Sequence, residues 1–421
     1  MTTNNMNDTN GNLPAGWRWV KLAEVLSKSD SGTWGEAHNS NGVSVLRSTN
    51  FRNDGTLSFE DLTLRDIPLV DRGRKLLVLG DILLERSGGG PKQPVGRVCL
   101  FLGHSQPHAF GNFCQRLRAN DKLCLPSFLF WHLYFFHLSG RTESYQKQTT
   151  GIRNLEYKRY LMHEIPMPPL AEQERIAAKL KEQMATVEQA RAAAQARLAT
   201  IKALPAAFVR QVSPAPGQPL PAGWRWMKLG EVCKVNPRRP VLQRKESDLT
   251  SFVPMESIDA ITGSVLDMRK RQYGEVKKGY TYFEEGDILF AKITPCMQNG
   301  KHFIARNLID GFGFGTTEFH VIRAGSEIVS ELVWHFLRQP QLLIAAKEHF
   351  TGAVGQQRLP EDYIRALQFS LPPLAEQERI AAKLREQMAA VEQARAAAEA
   401  ELATINALPA ALLRRAFSGQ L

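Results

Sequence analysis

Between Ala171 and Leu204 the chain has neither glycine nor proline, and its apolar residues recur in heptad steps at Leu180, Val187, Ala194, Ile201 and, just beyond, Phe208. Ile176, Met184 and Leu198 widen the stripe, and Ala, Glu, Gln, Lys and Arg, all strong helix formers, fill most of the rest. This pattern predicts a long amphipathic helix with a coiled-coil seam. At about 1.5 Å per residue the glycine-free stretch makes a rod on the order of 50 Å long. The seam returns at Leu384, Val391, Ala398, Ile405 and Leu412. Two rods with matching stripes can cover each other, and the small Ala194 and Ala398 allow close approach. The alternative is two helices that each pack on their own neighbouring domain. Near-identity favours mutual pairing, because helices packed on dissimilar bodies would drift toward different contact residues.

The rods end two halves of an internal repeat. "PPLAEQERIAAKLKEQM" begins at Pro168 and "PPLAEQERIAAKLREQM" at Pro372. From Pro169 to Ala207 the copies differ only at Lys181/Arg385, Thr186/Ala390, Gln195/Glu399, Arg197/Glu401 and Lys202/Asn406. "LPAGWRW" opens each half, at Leu13 and at Leu220. Its tryptophans (Trp17, Trp19, Trp224 and Trp226) suit packing anchors better than base stackers. The predicted organisation is a first domain over 1–169, a repeat helix over 170–210, a Pro-rich linker over 211–219, a second domain over 220–373, and a second repeat helix with its tail over 374–421.

The domain bodies read as mixed α/β. "SVLRSTNF", "LVLGDILLE", "VGRVCLFL" and "FCQRLRA" have strand patterns in the first; "SFVPMESI", "YTYFEEGDILFAKI", "KHFIARN" and "EFHVIRA" serve in the second. A helix follows in each, from Leu125 and from Ser330. The shared tetrapeptide "GDIL", at Gly80–Leu83 and Gly286–Leu289, suggests one fold under two dissimilar sequences.

Charge sharpens the picture. Fifty-three Lys and Arg against 42 Asp and Glu leave a net charge of +11 in 421 residues, which points to a polyanionic partner, most often nucleic acid. The five cysteines form no C-x-x-C pair and suit free, mostly buried thiols in a reducing cytoplasm. The polar start "MTTNNMNDTNGN" has no apolar core of a signal peptide, and the run "FLFWHLYFFHL" from Phe128 is too short to span a bilayer. A cytoplasmic protein without a membrane partner is expected.

The familiar catalytic motifs are missing from the sequence. "NGKH" at Asn299 lacks the leading Gly and the Ser/Thr of a phosphate-binding loop. The Pro-Pro pairs of "MPPL" and "LPPL" lack the preceding amide or acid and the following aromatic that would hold a flipped base. "DGFGFGTTEF" misses the third glycine of a dinucleotide loop and leads into a strand pattern; it reads as a turn between strands. The histidines show no metal-ligand spacing, and Ser87 has no nucleophile elbow around it. Neither catalysis nor a metal site is expected on this chain.

These residues together resemble the specificity (S) subunit of a type I restriction-modification system, over nearly the whole chain. The most specific marks are "IPMPPLAEQERI" and "FSLPPLAEQERI"; "FVPMESI", "GYTYFEEGDILFAKITPCMQNGK", "TTEFHVIR", "TGAVGQQRLP" and the ending "LLRRAFSGQL" add to them. The resemblance implies an α+β fold with a pseudo-two-fold internal repeat: two mixed α/β target-recognition domains, separated by an antiparallel coiled coil of the two long helices. It implies that each domain reads one half of a bipartite, asymmetric site in double-stranded DNA and that the coil sets the gap. It further implies docking of two methyltransferase (M) subunits and then of restriction (R) subunits, with S-adenosylmethionine, ATP and Mg used by those partners and no cofactor on this chain. The competing reading is a coiled-coil scaffold that binds proteins rather than DNA.

Side chains that read base edges and phosphates are mostly Arg, Lys, Asn, Gln, Ser and Thr on loops. In the first body the candidates are Arg47, Ser48 and Asn50; Arg86 and the "SGGGPK" loop through Lys92; and Thr150 and Arg153. In the second they are Lys292, Thr294, Gln298, Asn299 and Lys301 after "GDIL", and Gln356, Gln357 and Arg358 after "TGAVG".

Overall fold

The computed structural model describes residues 13–37, 42–90, 93–149, 152–214, 217–353 and 357–421. Its two compact units cut across the sequence halves: one is Met1–Ala194 with Glu401–Leu421, the other Gln195–Ala400. The repeat helices, Leu170–Val212 and Leu374–Phe417, explain the division. In each unit the start of one helix shares a core with the end of the other, so the helices run antiparallel. Ile176, Ala177 and Leu180 are buried with Leu413 and Ala416 in the first unit. Ile380 and Leu384 are buried with Val209 in the second.

Of the expected seam, Leu180, Val187, Ala194, Leu384, Val391 and Ala398 are buried, whereas Ile201 and Ile405 are half-buried. Both suggested partners are used, since the stripe covers the other helix and the adjoining body together. Two positions that differ between the copies make cross-helix contacts. Asn406 accepts from Arg191 at 2.8 Å in the first unit, and Lys202 lies 3.4 Å from Glu399 in the second. Both helices run on beyond the proline-free stretch, through Pro205 and Pro409. Each ring removes one backbone donor, a cost that burial of Val209 and Leu413 in the cores offsets.

The central sheets of the two bodies have the same strand order. In the first, a sheet is ordered Leu26–Ser31, Cys114–Ala119, Ile82–Glu85, Val98–Leu100, with antiparallel neighbours. In the second the order is Cys233–Val235, Phe319–Ala324, Ile288–Ala291, His302–Ile304. Each body has another sheet with one parallel pair, Val43–Leu46 with His108–Phe110 and Leu249–Val253 with Phe312–Gly315. The opening motif also has its place: Arg18–Lys21 pairs with Glu164–Met167, and Arg225–Lys228 with Gln368–Leu371. The chain thus closes each body just before the repeat helix begins. Trp17 and Trp224 pack on the cores as expected, but Trp19 is exposed.

Two local expectations change. The run from Ser330 is two helices, Ser330–Leu337 and Pro340–Lys347, because Pro340 cannot donate and Gln339 before it is extended. The glycines of "GFGFG" lie partly within a strand. A Cβ on Gly313 would stand 2.8 Å from the Phe283 ring, so that strand needs glycine for close packing. All five cysteines are free and, Cys296 apart, buried.

One glutamine of the repeated text joins each body to its helix. Gln173 and Gln377 are fully buried. The Gln173 carbonyl accepts from Leu125 N at 2.8 Å, and its amide donates to Leu123 O and Pro168 O at 3.1 and 2.9 Å. Gln377 accepts from Val329 N at 2.9 Å and donates to Glu327 O and Pro372 O at 2.8 and 2.9 Å. Each satisfies the loop that precedes its body's helix, and only an amide carries both the acceptor and the two donors needed. Replacing Gln377 with Ala leaves buried backbone groups unpaired. The expected loss is about 2–3 kcal/mol, read as a lower urea midpoint; an unchanged midpoint would deny the latch its role.

On the helix Pro126–Leu138, neither ring nitrogen of buried His132 has a hydrogen-bond partner among the described residues. Its ring stacks on His163 and meets Phe417 edge-on. Burial holds His132 well below the ordinary histidine pKa and His163 down to about 4. Unfolding therefore takes up protons below the ordinary value of about 6.5. Stability should be flat near neutrality and fall as pH drops from about 6.5 toward 4, and His132→Phe should flatten that fall in urea titrations.

Candidate nucleic-acid interface

The shared "GDIL" text has a structural cause. Asp81 is fully buried, accepts from Val78 N at 2.9 Å, and is forked by Arg118 at 2.6 and 2.8 Å. Asp287 accepts from Glu284 N at 2.7 Å and is forked by Arg323 at 2.8 Å through both nitrogens. The carboxylates raise the pKa of both guanidinium groups. Each pair locks the GDIL strand to its antiparallel neighbour, and that direction sorts the loops between the two ends of the sheet.

At one end, the strands Cys114–Ala119 and Phe319–Ala324 run on toward the loops that Gln173 and Gln377 hold. At the other end the candidate loops gather. Arg86 follows Ile82–Glu85, and its backbone N donates to Phe113 O. Gly111 N donates to Leu46 O, which brings the Arg47 loop alongside. The hairpin of Gln146–Thr149 and Ile152–Leu155 pairs with Ser87–Gly89. In the second body Lys292 N donates to Glu318 O, and Arg358 bridges Ile293 and Thr351. Loops far apart in sequence thus converge at one sheet end in each body, the end away from the repeat helix.

Their side chains differ in availability. Arg86 is exposed and Arg153 half-exposed, and no ion pair or hydrogen bond engages either guanidinium among the described residues. Arg47 is tied to Asp61 at 3.0 Å. Asn50 turns inward, accepting from Arg47 N and donating to Ser58 O and Asp61 O; its amide holds the loop. The Ser48 carbonyl accepts from Arg97, itself forked by Glu85. Thr294, Asn299 and Gln357 are exposed, and Gln298 is half-buried. Lys301 is committed to Met255 O at 3.0 Å. Burial lowers the Lys292 pKa. Arg358 is forked by Glu318 at 2.8 and 3.0 Å, which holds the Glu318 carboxyl below its usual range. Lys92, Thr150 and Gln356 lie outside the described residues. Phe113 and Glu318 were missed by the sequence reading, which sought polar loop residues and took "FCQRLRA" and "EFHVIRA" as strand text. The aligned "RA" endings place both one residue before the strand.

A second feature recurs at the other end. A cleft of about 590 Å³ lies between the first body and its helix, lined by Leu102, Phe130, Trp131, Ala177 and Lys181 among others. The matching cleft of about 740 Å³ in the second unit is lined by Arg306, Trp334, His335, Ala381 and Arg385. The first is largely apolar, while Glu331 pairs with Arg306 and Arg385 in the second. Among the described residues no helix is long and apolar enough to cross a membrane, and no cluster of His, Cys, Asp or Glu could hold a metal.

Comparison with known proteins gives a consistent answer. The sequence profile of the type I restriction modification DNA specificity domain matches residues 14–194 and again 221–400. The chain is 40% identical over 162 residues to the type I restriction enzyme EcoEI specificity subunit of Escherichia coli, covering 38% of this chain and 27% of that protein. It is 37% identical over 176 residues to the EcoAI specificity subunit of Escherichia coli, 41% of this chain and 29% of that one. These matches span less than a third of either relative's length. A solved chain described in terms of complex assembly and conformational transition of the type I restriction-modification system shares the fold, with a TM-score of 0.75 at 21% identity over 98% of this chain and 100% of its own. With two specificity domains, each built on the same central sheet and latched to a repeat helix, the chain belongs to the family of type I restriction-modification specificity subunits, the DNA-recognition component of such systems.

Proposed function

We propose that this chain recognises a bipartite, asymmetric sequence in double-stranded DNA, each body reading one half-site with the loop end of its sheet. The observation that carries this is the convergence of the same loops at the same sheet end in both bodies, on one framework but with different side chains. A common framework suits a common ligand, and different side chains suit different base sequences. The antiparallel repeat helices would set the gap and dock two methyltransferase subunits. The paired clefts support that docking, since the helix wall of each carries equivalent repeat positions, an alanine and a cation: Ala177 and Lys181 in one and Ala381 and Arg385 in the other. The chain is non-catalytic alone in this reading. S-adenosylmethionine, and ATP with Mg for restriction subunits, would act on the partners, in the cytoplasm.

Purified chain with its methyltransferase partner should bind a specific duplex with an affinity that falls steeply as salt rises, from neutralised phosphates, and the chain alone should transfer no methyl group. Methyl transfer without the partner would contradict the non-catalytic role. A complex without affinity for DNA would favour the protein scaffold. Inserting one heptad into both repeat helices preserves the seam and adds about 10 Å. The recognised gap should widen by about three base pairs, at about 3.4 Å each; methylation mapping that returns the original gap would reject the ruler.

A further inference from the structure

The two bodies agree bond for bond at one place. Arg86 N donates to Phe113 O and Leu155 N to Arg86 O, each at 2.8 Å; Lys292 N donates to Glu318 O and Leu359 N to Lys292 O, each at 2.9 Å. These bonds make Arg86 equivalent to Lys292, Phe113 to Glu318, and Asn154 to Arg358. Three chain segments therefore present three side chains on one lattice at the loop end of each sheet. The first position is a cation in both bodies and suits phosphate or an acceptor edge. The third is fixed by a neighbour in each, Asn154 by Ser87 and Arg358 by Glu318.

The middle position changes character completely. Phe113 is 56% exposed at the position whose carbonyl accepts from Arg86 N, and no ion pair engages the Arg86 guanidinium among the described residues, although the same backbone site carries a carboxylate in the other body. No packing demand accounts for an exposed ring there, and such a ring gains only when something apolar covers it. In the major groove the apolar element of a base edge is the thymine methyl, which phenylalanine contacts. Glu318, held by the Arg358 fork with its side chain only 21% exposed, is an acceptor beside a donor. A C·G pair presents the complement, the cytosine amino donor beside the guanine acceptors.

We infer that Phe113 and Glu318 are specificity-determining residues at one equivalent base-pair position of the two half-sites, Phe113 selecting thymine in the first and Glu318 selecting cytosine in the second. The inference rests on the reading of the bodies as half-site readers, and it assigns the asymmetry of the target to one lattice position rather than to whole loops.

The test is selection from a randomised duplex library by the complex of the full chain with its methyltransferase subunits, followed by sequencing of the bound DNA. Phe113→Ala should lose about 10-fold discrimination at a single thymine of the first half-site. Glu318→Gln should do the same at a single cytosine of the second. Each should leave the other half-site and the gap unchanged. In Phe113→Glu the preference at that one position should move from thymine toward cytosine, a gain that damaged folding cannot imitate. Variants that select the wild-type sequence at every position overturn the inference, as does a uniform loss across a half-site, which marks a supporting residue. A wild-type complex that enriches no sequence counts instead against the half-site reading itself.

Discussion

The architecture depends on the buried glutamine at the start of each repeat helix. Gln173 and Gln377 pair with backbone groups at the helix start and in the loop before the body's helix. Each of those groups would otherwise be buried without a partner. Around this polar joint the apolar residues that follow, Ile176 and Leu180 in one copy and Ile380 and Leu384 in the other, enter the cores of the bodies. A body is therefore fixed to its helix at one end of its central sheet, and the loops at the other end are left to meet a ligand. The Asp–Arg fork inside each sheet carries this rigidity from one end to the other, because it ties together the two strands that connect them.

The same division of labour explains which residues recur and which do not. The helix text is nearly identical in both halves, and the glutamine of the joint and the Asp and Arg of the fork recur. The loops beyond the fork share backbone bonds but few side chains. The proposed function needs this separation, since in it the partners are the same on both sides and the half-sites different. The sites that break the helix symmetry also have a use. Asn406 and Glu399, where the first copy has Lys202 and Gln195, meet Arg191 and Lys202 across the helix pair, so the copies have diverged where they complement each other.

Much of this was legible in the sequence, because heptad spacing, alternation and self-similarity are local patterns. The repeat helices, the strands flanking "GDIL" and the family likeness all came from such text. The order of strands within a sheet was not legible, and neither were the pairing of Arg18–Lys21 with Glu164–Met167 and the inward turn of Asn50, since these depend on contacts between distant segments. Asn50 and Lys301 looked like reading residues because polar residues on loops usually face solvent, yet here they bond backbone carbonyls of neighbouring segments. Phe113 was overlooked for the converse reason: an aromatic residue beside a strand suggests core, and only the folded chain leaves it on the surface.

Hydrogen exchange on the methyltransferase complex, with and without its cognate duplex, addresses the central claim most directly. The account predicts DNA-dependent slowing at the loops around 86–90, 111–113, 292–299 and 316–318. The latch loops around 123–125 and 327–329 should be unchanged, already protected before DNA is added. Slowing confined to the latch loops and the repeat helices, with the converging loops unaffected, would contradict it.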